Sequence, residues 1–337
     1  MCSCALQHHT GQRSFILTAR IMTRLHRQGD KPVRLDDSND LNVEDQRGGG
    51  YNSAGLGGGG GLGLISMLVP FVFSRFGCTG VAVLGVLFFL FGGLGSIGSL
   101  VAPSTAPGTT SAPHQTTQGG QSGGSSTAAS CNVDAASRFS CNALANVNQT
   151  WARLLPGYTP PKLVFYAGNG QSGCGAAQSA MGPFYCPADQ GVYLDTAFYS
   201  ELKDRFGAPG DFAQAYVVAH EVGHHVQTLT GVSEQVSQAQ SRASRAQGNA
   251  LQVKMELQAD CYAGVWAANN RDKMEPGDIE EGLRAAQAIG DDTLQRAAGQ
   301  RPVPDSFTHG SSAERQMWLK RGLDSGDPKQ CDTFVAR

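Results

Sequence analysis

The sequence has no strong excess of charge of either sign. Its 337 residues include 26 lysines and arginines against 28 aspartates and glutamates, a formal net charge of −2. Proteins that bind nucleic acid depend on clustered positive charge, so this balance excludes a bulk electrostatic case for nucleic-acid binding. An internal repeat is also absent from the sequence, which excludes an architecture of stacked repeats.

One long stretch has no charged residue at all. Residues 77–100 are 24 consecutive uncharged residues, and an apolar run at 62–73 precedes them, with Pro70 and Arg75 as interruptions. About 20 apolar residues are enough for a helix to cross a bilayer. We therefore predict one transmembrane helix within residues 62–100, with its core at 77–100. A cleaved signal peptide and a buried core helix are the alternatives.

Lysine and arginine are missing between Arg75 and Arg138, although several precede the hydrophobic stretch. The cytoplasmic flanks of transmembrane helices are enriched in these residues. The asymmetry predicts a single-pass protein in the cell membrane, with its N terminus in the cytoplasm. The C-terminal part is then predicted to lie outside, in the periplasm or at the cell surface.

Composition divides the chain into four parts. Residues 1–61 end in a glycine-rich tract and are predicted to be a disordered cytoplasmic region, followed by the transmembrane segment at 62–100. Residues 101–130 are mostly Ser, Thr, Gly, Pro, Ala and Gln, which cannot bury a core, and are predicted to be a flexible linker. Residues 131–337 form the predicted folded domain outside the membrane.

Six of the nine cysteines fall in this outer part, and none of the nine is in a C-x-x-C motif. The missing motif gives no support to a structural zinc site, and an even count fits disulfides in an oxidising compartment. Six cysteines allow 15 pairings, and free buried thiols are the alternative. From their locality, and to tie the C terminus to a helix, we predict Cys131–Cys141, Cys174–Cys186 and Cys261–Cys331.

The strongest motif is H-E-x-x-H, from His220 to His224. Apolar residues recur at helical spacing from Asp211 to Leu229, so the motif is predicted to lie on a helix that begins with Asp211 as its N-cap. The two histidines then project from one face, where neutral imidazoles can hold one zinc ion. Glu221 is positioned to take a proton from a zinc-bound water. The alternative is a surface helix with a polar face.

A second pair of residues follows this motif. Glu256 lies 32 residues beyond His224, and Asp260 follows it by four on a strongly helical segment. Glu256 can supply the third zinc ligand and leave the fourth position open to water, while Asp260 can accept the free N–H of a ligating histidine. The alternative is a solvated acidic edge. His225 points about 100° away from His224 and is not predicted to be a ligand.

The sequence around these residues, HEVGHHVQTLTG and then ELQADCYAGVWA, resembles the bacterial "putative neutral zinc metallopeptidase" family. The paired motifs are also similar to those of the gluzincins, the thermolysin-like peptidases. The resemblance covers roughly residues 43–334 apart from the linker. It implies that His220, His224 and Glu256 bind zinc and that Glu221 is the general base. It does not indicate which protein or peptide is the substrate.

A histidine precedes the last predicted helix, which begins with a capping box at Ser311 and Glu314. In related membrane zinc proteases a histidine here lies beside the metal, with an arginine further along. The resemblance therefore implies that His309 stabilises the oxyanion and that Arg315 orients it or binds a substrate carboxylate. The alternative for His309 is a capping or packing role.

The remaining pattern predicts a predominantly helical α+β fold, a zincin-like domain with a small antiparallel sheet. Short apolar runs at 162–166, 184–187 and 191–195 predict strands, and 168–175 is predicted to be a loop. In zincins an edge strand over the metal pairs with extended substrate. Val192 and Tyr193 are accordingly predicted to bind substrate, and a purely structural hairpin is the alternative.

Together these observations predict a membrane-anchored zinc endopeptidase that carries one Zn²⁺ and acts on a protein or peptide. Two other hypotheses remain open at this point. One is a zinc-bound scaffold without catalysis, and the other is a protein that binds polymers of the cell envelope. Glu221 favours the enzyme, because a binding protein has no need of a general base.

Overall fold

The computed structural model describes residues 33–35, 41–48 and 126–335. The strands in these ranges are β1 (Val43–Asp45), β2 (Lys162–Phe165), β3 (Asn169–Ser172), β4 (Gly175–Gln178), β5 (Phe184–Cys186) and β6 (Gly191–Leu194). The α-helices are α1 (Thr127–Cys131), α2 (Ala135–Leu154), α3 (Phe198–Asp204), α4 (Asp211–Leu229), α5 (Val232–Gln240), α6 (Arg245–Ala268), α7 (Asp278–Ala288), α8 (Asp291–Ala297) and α9 (Ser312–Ser325). This content confirms the prediction of a mainly helical fold with a small sheet.

The sheet is mixed, so the prediction of an antiparallel sheet was wrong. Its strand order is β1-β2-β6-β5, in which β1 and β6 run parallel to β2 and only β5 and β6 are antiparallel. The hairpin of β5 and β6 was predicted, but its neighbours come from distant parts of the chain. Residues 168–175, predicted as a loop, belong to the separate antiparallel pair of β3 and β4.

The folded unit includes residues that the sequence assigned to a disordered N-terminal region. β1 pairs with β2 in the register Val43 to Leu163, and the Arg47 guanidinium lies 4.5 Å from the centroid of the Phe165 ring. Val33 is buried in the main hydrophobic core. The boundary at residue 131 therefore falls too late, because a three-residue strand rich in acid gives no apolar pattern to recognise.

The predicted transmembrane segment at 62–100 lies outside the described residues, as does the linker up to residue 125. Residues 127–130, predicted as its end, belong to α1 instead. None of the helices in the described ranges combines the length and the apolar character that crossing a bilayer requires.

The helix that carries the H-E-x-x-H motif has the predicted bounds, Asp211–Leu229. Its N-cap is Gly210 and not the predicted Asp211. The Asp211 side chain has another partner, since its Oδ2 accepts a hydrogen bond from the Val33 backbone N–H at 2.6 Å. The helix ends at Thr230, and Gly231 follows with φ of +78°, a conformation in which glycine is favoured.

Three helices pack closely around the motif. A Cβ atom on Gly223 of α4 would lie 3.0 Å from the Ala259 backbone of α6, so a larger residue would require the two helices to shift apart. A Cβ on Gly322 of α9 would lie 1.9 Å from the Cys261 carbonyl of α6. These contacts bring α4 and α9 against opposite parts of α6, and they fix which side chains can meet between the helices.

The three disulfides pair as predicted: Cys131–Cys141, Cys174–Cys186 and Cys261–Cys331. The first joins α1 to α2, and the second joins the turn between β3 and β4 to β5. The third connects the C-terminal segment to α6, across a sequence separation of 70 residues. A bridge that closes so long a loop removes the most freedom from the unfolded chain.

Candidate metal centre

His220, His224 and Glu256 converge between α4 and α6. The Nε2 atom of His220 lies 3.2 Å from Oε2 of Glu256, and Nε2 of His224 lies 3.5 Å from Oε1 of the same carboxylate. One potential ligand atom from each of the three side chains lies within 4.8 Å of the others. Because His220 and His224 are four residues apart on α4, both imidazoles face the carboxylate of Glu256 on α6.

The distances fit a tetrahedral zinc site. Zinc bonds to nitrogen and oxygen of about 2.0–2.2 Å place neighbouring ligand atoms about 3.4 Å apart. Two imidazoles and one carboxylate are also a ligand set found in catalytic zinc sites, which keep the fourth position for water or substrate. The residues present therefore fit the ion that the motif implies.

The buried charges fit a divalent cation as well. Glu221, Glu256 and Asp260 are three buried carboxylates, and Arg315 is the buried guanidinium beside them. When the imidazoles are neutral, the three carboxylates and the one guanidinium leave an excess of two negative charges. Buried charge without compensation is costly. A divalent cation between the ligands cancels that excess.

His220 is oriented by charged partners. Its Nδ1 lies 2.9 Å from Oδ1 of Asp260, and that same oxygen accepts a hydrogen bond of 2.5 Å from the Tyr216 hydroxyl. Arg315 donates to both oxygens of Asp260, from Nε at 2.8 Å and from Nη2 at 2.9 Å. Asp260 was predicted in this role, whereas no role was predicted for Tyr216.

These partners shift the pKa values in opposite directions. Burial alone would lower the pKa of His220, but the Asp260 carboxylate outweighs burial and raises the pKa to about 10. Burial alone would raise the pKa of Asp260, but Arg315 and His220 outweigh it and lower the pKa. Glu256 is likewise held well below its ordinary pKa by His224 and His220, against the effect of burial. A cation that binds here must displace protons from the imidazoles.

The two adjacent histidines, His224 and His225, have different surroundings. His224 directs Nε2 toward Glu256, and its Nδ1 lies 2.8 Å from Oε1 of Gln227. His225 is fully buried on another side of α4, with Nε2 2.6 Å from the Thr159 carbonyl and Nδ1 2.9 Å from the Tyr185 hydroxyl. Both ring nitrogens of His225 are therefore engaged away from the ligand cluster.

Glu221 lines a cleft of about 640 Å³ that also reaches His220, His224 and Glu256. It is buried, and burial raises the pKa of its carboxyl group. A general base works best when its pKa lies close to the pH of the reaction, so the shift is in the useful direction. Glu221 thus shares the cleft with the ligand set, as its predicted role as general base requires.

His309 also lines this cleft, and its side chain is 51% exposed. Its Nδ1 lies 3.2 Å from Oδ1 of Asp291, and Oδ2 of Asp291 accepts backbone N–H bonds from residues 308–310. The hydrogen bond to Asp291 raises the pKa of His309. Asp291 was missed from the sequence, where it reads only as an acid at the start of a helix.

Arg315 is buried and paired within the protein. It is only 2% exposed, and its guanidinium is held by Asp260, Tyr216 and the Ile289 carbonyl. It also lines the cleft, and its contact with a substrate carboxylate stays a prediction, since Asp260 already pairs with this cation. Its charge acts on His220 through Asp260.

Val192 and Tyr193 are misplaced as substrate-binding residues. They belong to β6, which lies between β2 and β5, and both are 1% exposed. The strand at the end of this sheet is β5, and its Phe184 and Tyr185 line the cleft together with Gly182. The continuous apolar character of β6 is typical of an interior strand, which explains the burial.

A second group of carboxylates brings Asp211, Asp278 and Glu281 within 4.8 Å of one another. Burial, followed by the charges of Asp211 and Asp278, raises the pKa of Glu281 to about 7. The group contains no histidine, and two of its three members are only half-buried. It is a local concentration of like charge rather than a match to the zinc ligand set.

Comparisons with known proteins agree with this geometry. A family model described as "Putative neutral zinc metallopeptidase" matches residues 34–334. The chain is 56% identical over 209 residues to "Uncharacterized protein YpfJ" of Escherichia coli (strain K12), which covers 60% of this chain and 73% of the relative. It is 46% identical over 218 residues to "Uncharacterized protein Rv2575" of Mycobacterium tuberculosis (strain ATCC 25618 / H37Rv), with the same coverage of each chain. No solved structure matches this chain.

Proposed function

Because the chain belongs to the "putative neutral zinc metallopeptidase" family, we propose that it hydrolyses peptide bonds with one zinc ion held by His220, His224 and Glu256. The convergence of these three buried or partly buried side chains, in a cluster that has two negative charges in excess once the imidazoles are neutral, is what carries the proposal. The open cleft beside them supports access for a substrate.

Zinc, when bound, polarises the scissile carbonyl and lowers the pKa of a water molecule to about 7. Glu221 accepts the proton of the attacking water and passes it to the nitrogen of the leaving amine. Its raised pKa suits both steps, because the group must take up and release a proton in one cycle. Asp260, braced by Arg315, keeps His220 in the orientation that presents Nε2 to the cluster.

His309 is proposed to donate a hydrogen bond to the carbonyl oxygen as negative charge develops on it. Asp291 engages Nδ1 and favours the protonated ring, which leaves Nε2–H as the donor toward the cleft. The negative charge of Asp291 therefore supports His309 as an electrostatic group and not as a ligand.

The substrate is proposed to be an extended protein or peptide segment that lies along β5. This strand is the end of the sheet on the side of the cleft, and Phe184 and Tyr185 line both. Strand addition supplies binding through main-chain hydrogen bonds, with side-chain pockets for selectivity.

We also propose that the domain works outside the cytoplasm and that residues 62–100 attach the chain to a membrane. Three disulfides support an oxidising compartment. The uncharged stretch at 77–100 supports attachment by its composition. The single-pass orientation stays a prediction.

Glu221→Gln is the sharpest test of the enzyme. The variant keeps the three ligands, so the full chain should bind one zinc by metal analysis while losing cleavage of an unbiased peptide library. The wild-type chain stripped with a chelator and then reloaded is the control. Full activity of the variant would refute the role of Glu221, and zinc binding without cleavage by the wild type would instead identify a binding protein.

A further inference from the structure

The ring nitrogen of His224 that faces away from Glu256 begins a chain of buried amides. We propose that Gln227 and Gln258 are positioning residues for His224, and that the backbone carbonyl of Cys331 sets the direction of their hydrogen bonds. The inference rests on the zinc site proposed above, since it concerns how that site holds one ligand.

The chain of contacts is continuous. Nδ1 of His224 lies 2.8 Å from Oε1 of Gln227, and Nε2 of Gln227 donates to Oε1 of Gln258 at 3.0 Å. Nε2 of Gln258 then donates to the Cys331 carbonyl at 3.0 Å. Nε2 of Gln227 makes a second hydrogen bond, of 2.7 Å, to the Met255 carbonyl.

The two backbone carbonyls give the chain its polarity. A carbonyl only accepts hydrogen bonds, so the amide group that faces it must be the NH₂ of the glutamine. Cys331 therefore turns Oε1 of Gln258 toward Gln227, and Met255 with Gln258 turns Oε1 of Gln227 toward His224. An oxygen beside Nδ1 requires that nitrogen to carry the proton of His224. The lone pair is then left on Nε2, the atom directed at Glu256.

Burial keeps water from replacing these contacts. Gln227 is fully buried, Gln258 is 4% exposed, and the Cys331 carbonyl belongs to a residue with no exposed surface. A buried amide that loses a partner has no solvent to turn to, so each group constrains the next. Gln227 stands three residues after His224 on α4, and Gln258 stands between Glu256 and Asp260 on α6.

The disulfide Cys261–Cys331 fixes the far end of the chain. Cys261 follows Asp260 on α6, so the bridge holds the C-terminal segment against the helix that carries Glu256. Thr333 adds a hydrogen bond of 2.7 Å to the Lys254 carbonyl of the same helix. The oxidised bridge thus keeps the acceptor of Gln258 in place.

Zinc affinity measured by chelator competition on the full chain tests the two glutamines. Gln227→Met removes the acceptor of His224 and should weaken zinc binding roughly tenfold. In Gln258→Met, Gln227 keeps its hydrogen bond to the Met255 carbonyl, so zinc binding should weaken by about twofold to tenfold. Gln316→Met is the matched control, since Gln316 on α9 also donates a hydrogen bond to a backbone carbonyl of a neighbouring helix, that of Leu283 on α7. Its affinity should equal that of the wild type.

A nitrogen-edited NMR spectrum of the zinc-loaded chain gives a readout that loss of stability alone does not move. The Nδ1–H protons of His224 and His220 should both exchange slowly in the wild type. Gln227→Met should make only the His224 proton exchange fast. If the glutamine variants do not fold, the wild-type spectrum still decides, because fast exchange at His224 Nδ1 overturns the proposal and slow exchange supports it.

The disulfide is tested by paired serine substitutions. Replacing Cys261 and Cys331 together should weaken zinc binding several-fold, at the lower end of the range for lost outer contacts. Replacing Cys131 and Cys141 together should not, although it also removes a bridge. Equal affinities for the wild type, both glutamine variants and both cysteine pairs would overturn the inference. A wild-type chain that binds no zinc would instead overturn the proposed function.

Discussion

The two histidines of the metal centre are held in different ways. His220 is oriented by the charged pair of Asp260 and Arg315, with the Tyr216 hydroxyl as a third member. His224 is oriented by the neutral Gln227. The two ligands stand one turn apart on α4, yet one depends on ionised groups and the other on amides and backbone carbonyls.

The difference shows how one buried site limits its own charge. A second carboxylate beside His224 would add to the negative excess of Glu221, Glu256 and Asp260. Buried like charges are costly, whereas an amide orients an imidazole without adding charge. We infer that one charged support and one neutral support let a single divalent cation balance the cluster.

Asp260→Asn should have the largest effect, because it breaks the charged support. It leaves Arg315 as an unpaired buried cation, so the free energy of unfolding should fall by about 3–5 kcal/mol. Zinc affinity should fall by about 10–100-fold. Chemical denaturation and chelator competition measure the two effects, and the double variant with Arg315→Met should regain part of the stability. Unchanged zinc affinity in Asp260→Asn would contradict the role of this carboxylate.

Arg315→Met separates charge balance from orientation. The free energy of unfolding should fall by about 3 kcal/mol, because Asp260 is left buried without its cation. Zinc affinity should not fall, since the carboxylate still accepts from His220 and the cluster becomes more negative. A loss of affinity as large as that of Asp260→Asn would mean that Arg315 itself orients the ligand.

His225→Gln tests whether the ligand set ends at His224. Because His225 faces Thr159 and Tyr185, the variant should still bind one zinc per chain and lose about 1–2 kcal/mol of stability. The matched substitution His224→Gln, one residue earlier, should abolish tight zinc binding. Metal analysis of both variants makes the comparison, and loss of zinc from the first would refute the assignment.

Glu281→Gln should have the smallest effect and serves as a control away from both supports. The folded-state pKa of about 7 lies above the ordinary value of 4.5, so the folded protein binds more protons between these pH values than the unfolded chain does. Stability is therefore lost as pH rises from about 4.5 to about 7. The substitution should raise stability at pH 8 by about 1 kcal/mol, since solvent screens this half-buried group, and change little at pH 4. Thermal melts check this, and zinc affinity should not move.

Much of the metal centre could be predicted because its parts have a fixed spacing. A spacing of four from His220 to His224, and again from Glu256 to Asp260, places each pair on one helix face. Gln227 and Gln258 could not be found in this way, because glutamine is common on helix surfaces and its partners are backbone carbonyls. Asp291 was missed for a similar reason, since an acid that begins a helix usually acts on that helix.

The sheet was harder to predict than the helices. The apolar run along 191–195 indicates a strand but not its place in the sheet, and so β6 was taken for the edge that belongs to β5. The strand at Val43–Asp45 is short and acidic, and its partner lies beyond a long stretch of other sequence. Local patterns carry no information about such a pairing, which depends on the whole fold.

The parallel ladder of Val43–Asp45 with Leu163–Phe165 also constrains how the chain can sit in a cell. Hydrogen-bonded strands share a compartment, so residues 43–45 and 163–165 are expected on the same side of any bilayer. Separating the two strands would leave Lys162–Phe165 paired only with Gly191–Leu194 and would expose unpaired backbone groups along its other edge. The predicted single-pass orientation would place the two strands on opposite sides of a membrane, so a test of that orientation is also a test of this ladder.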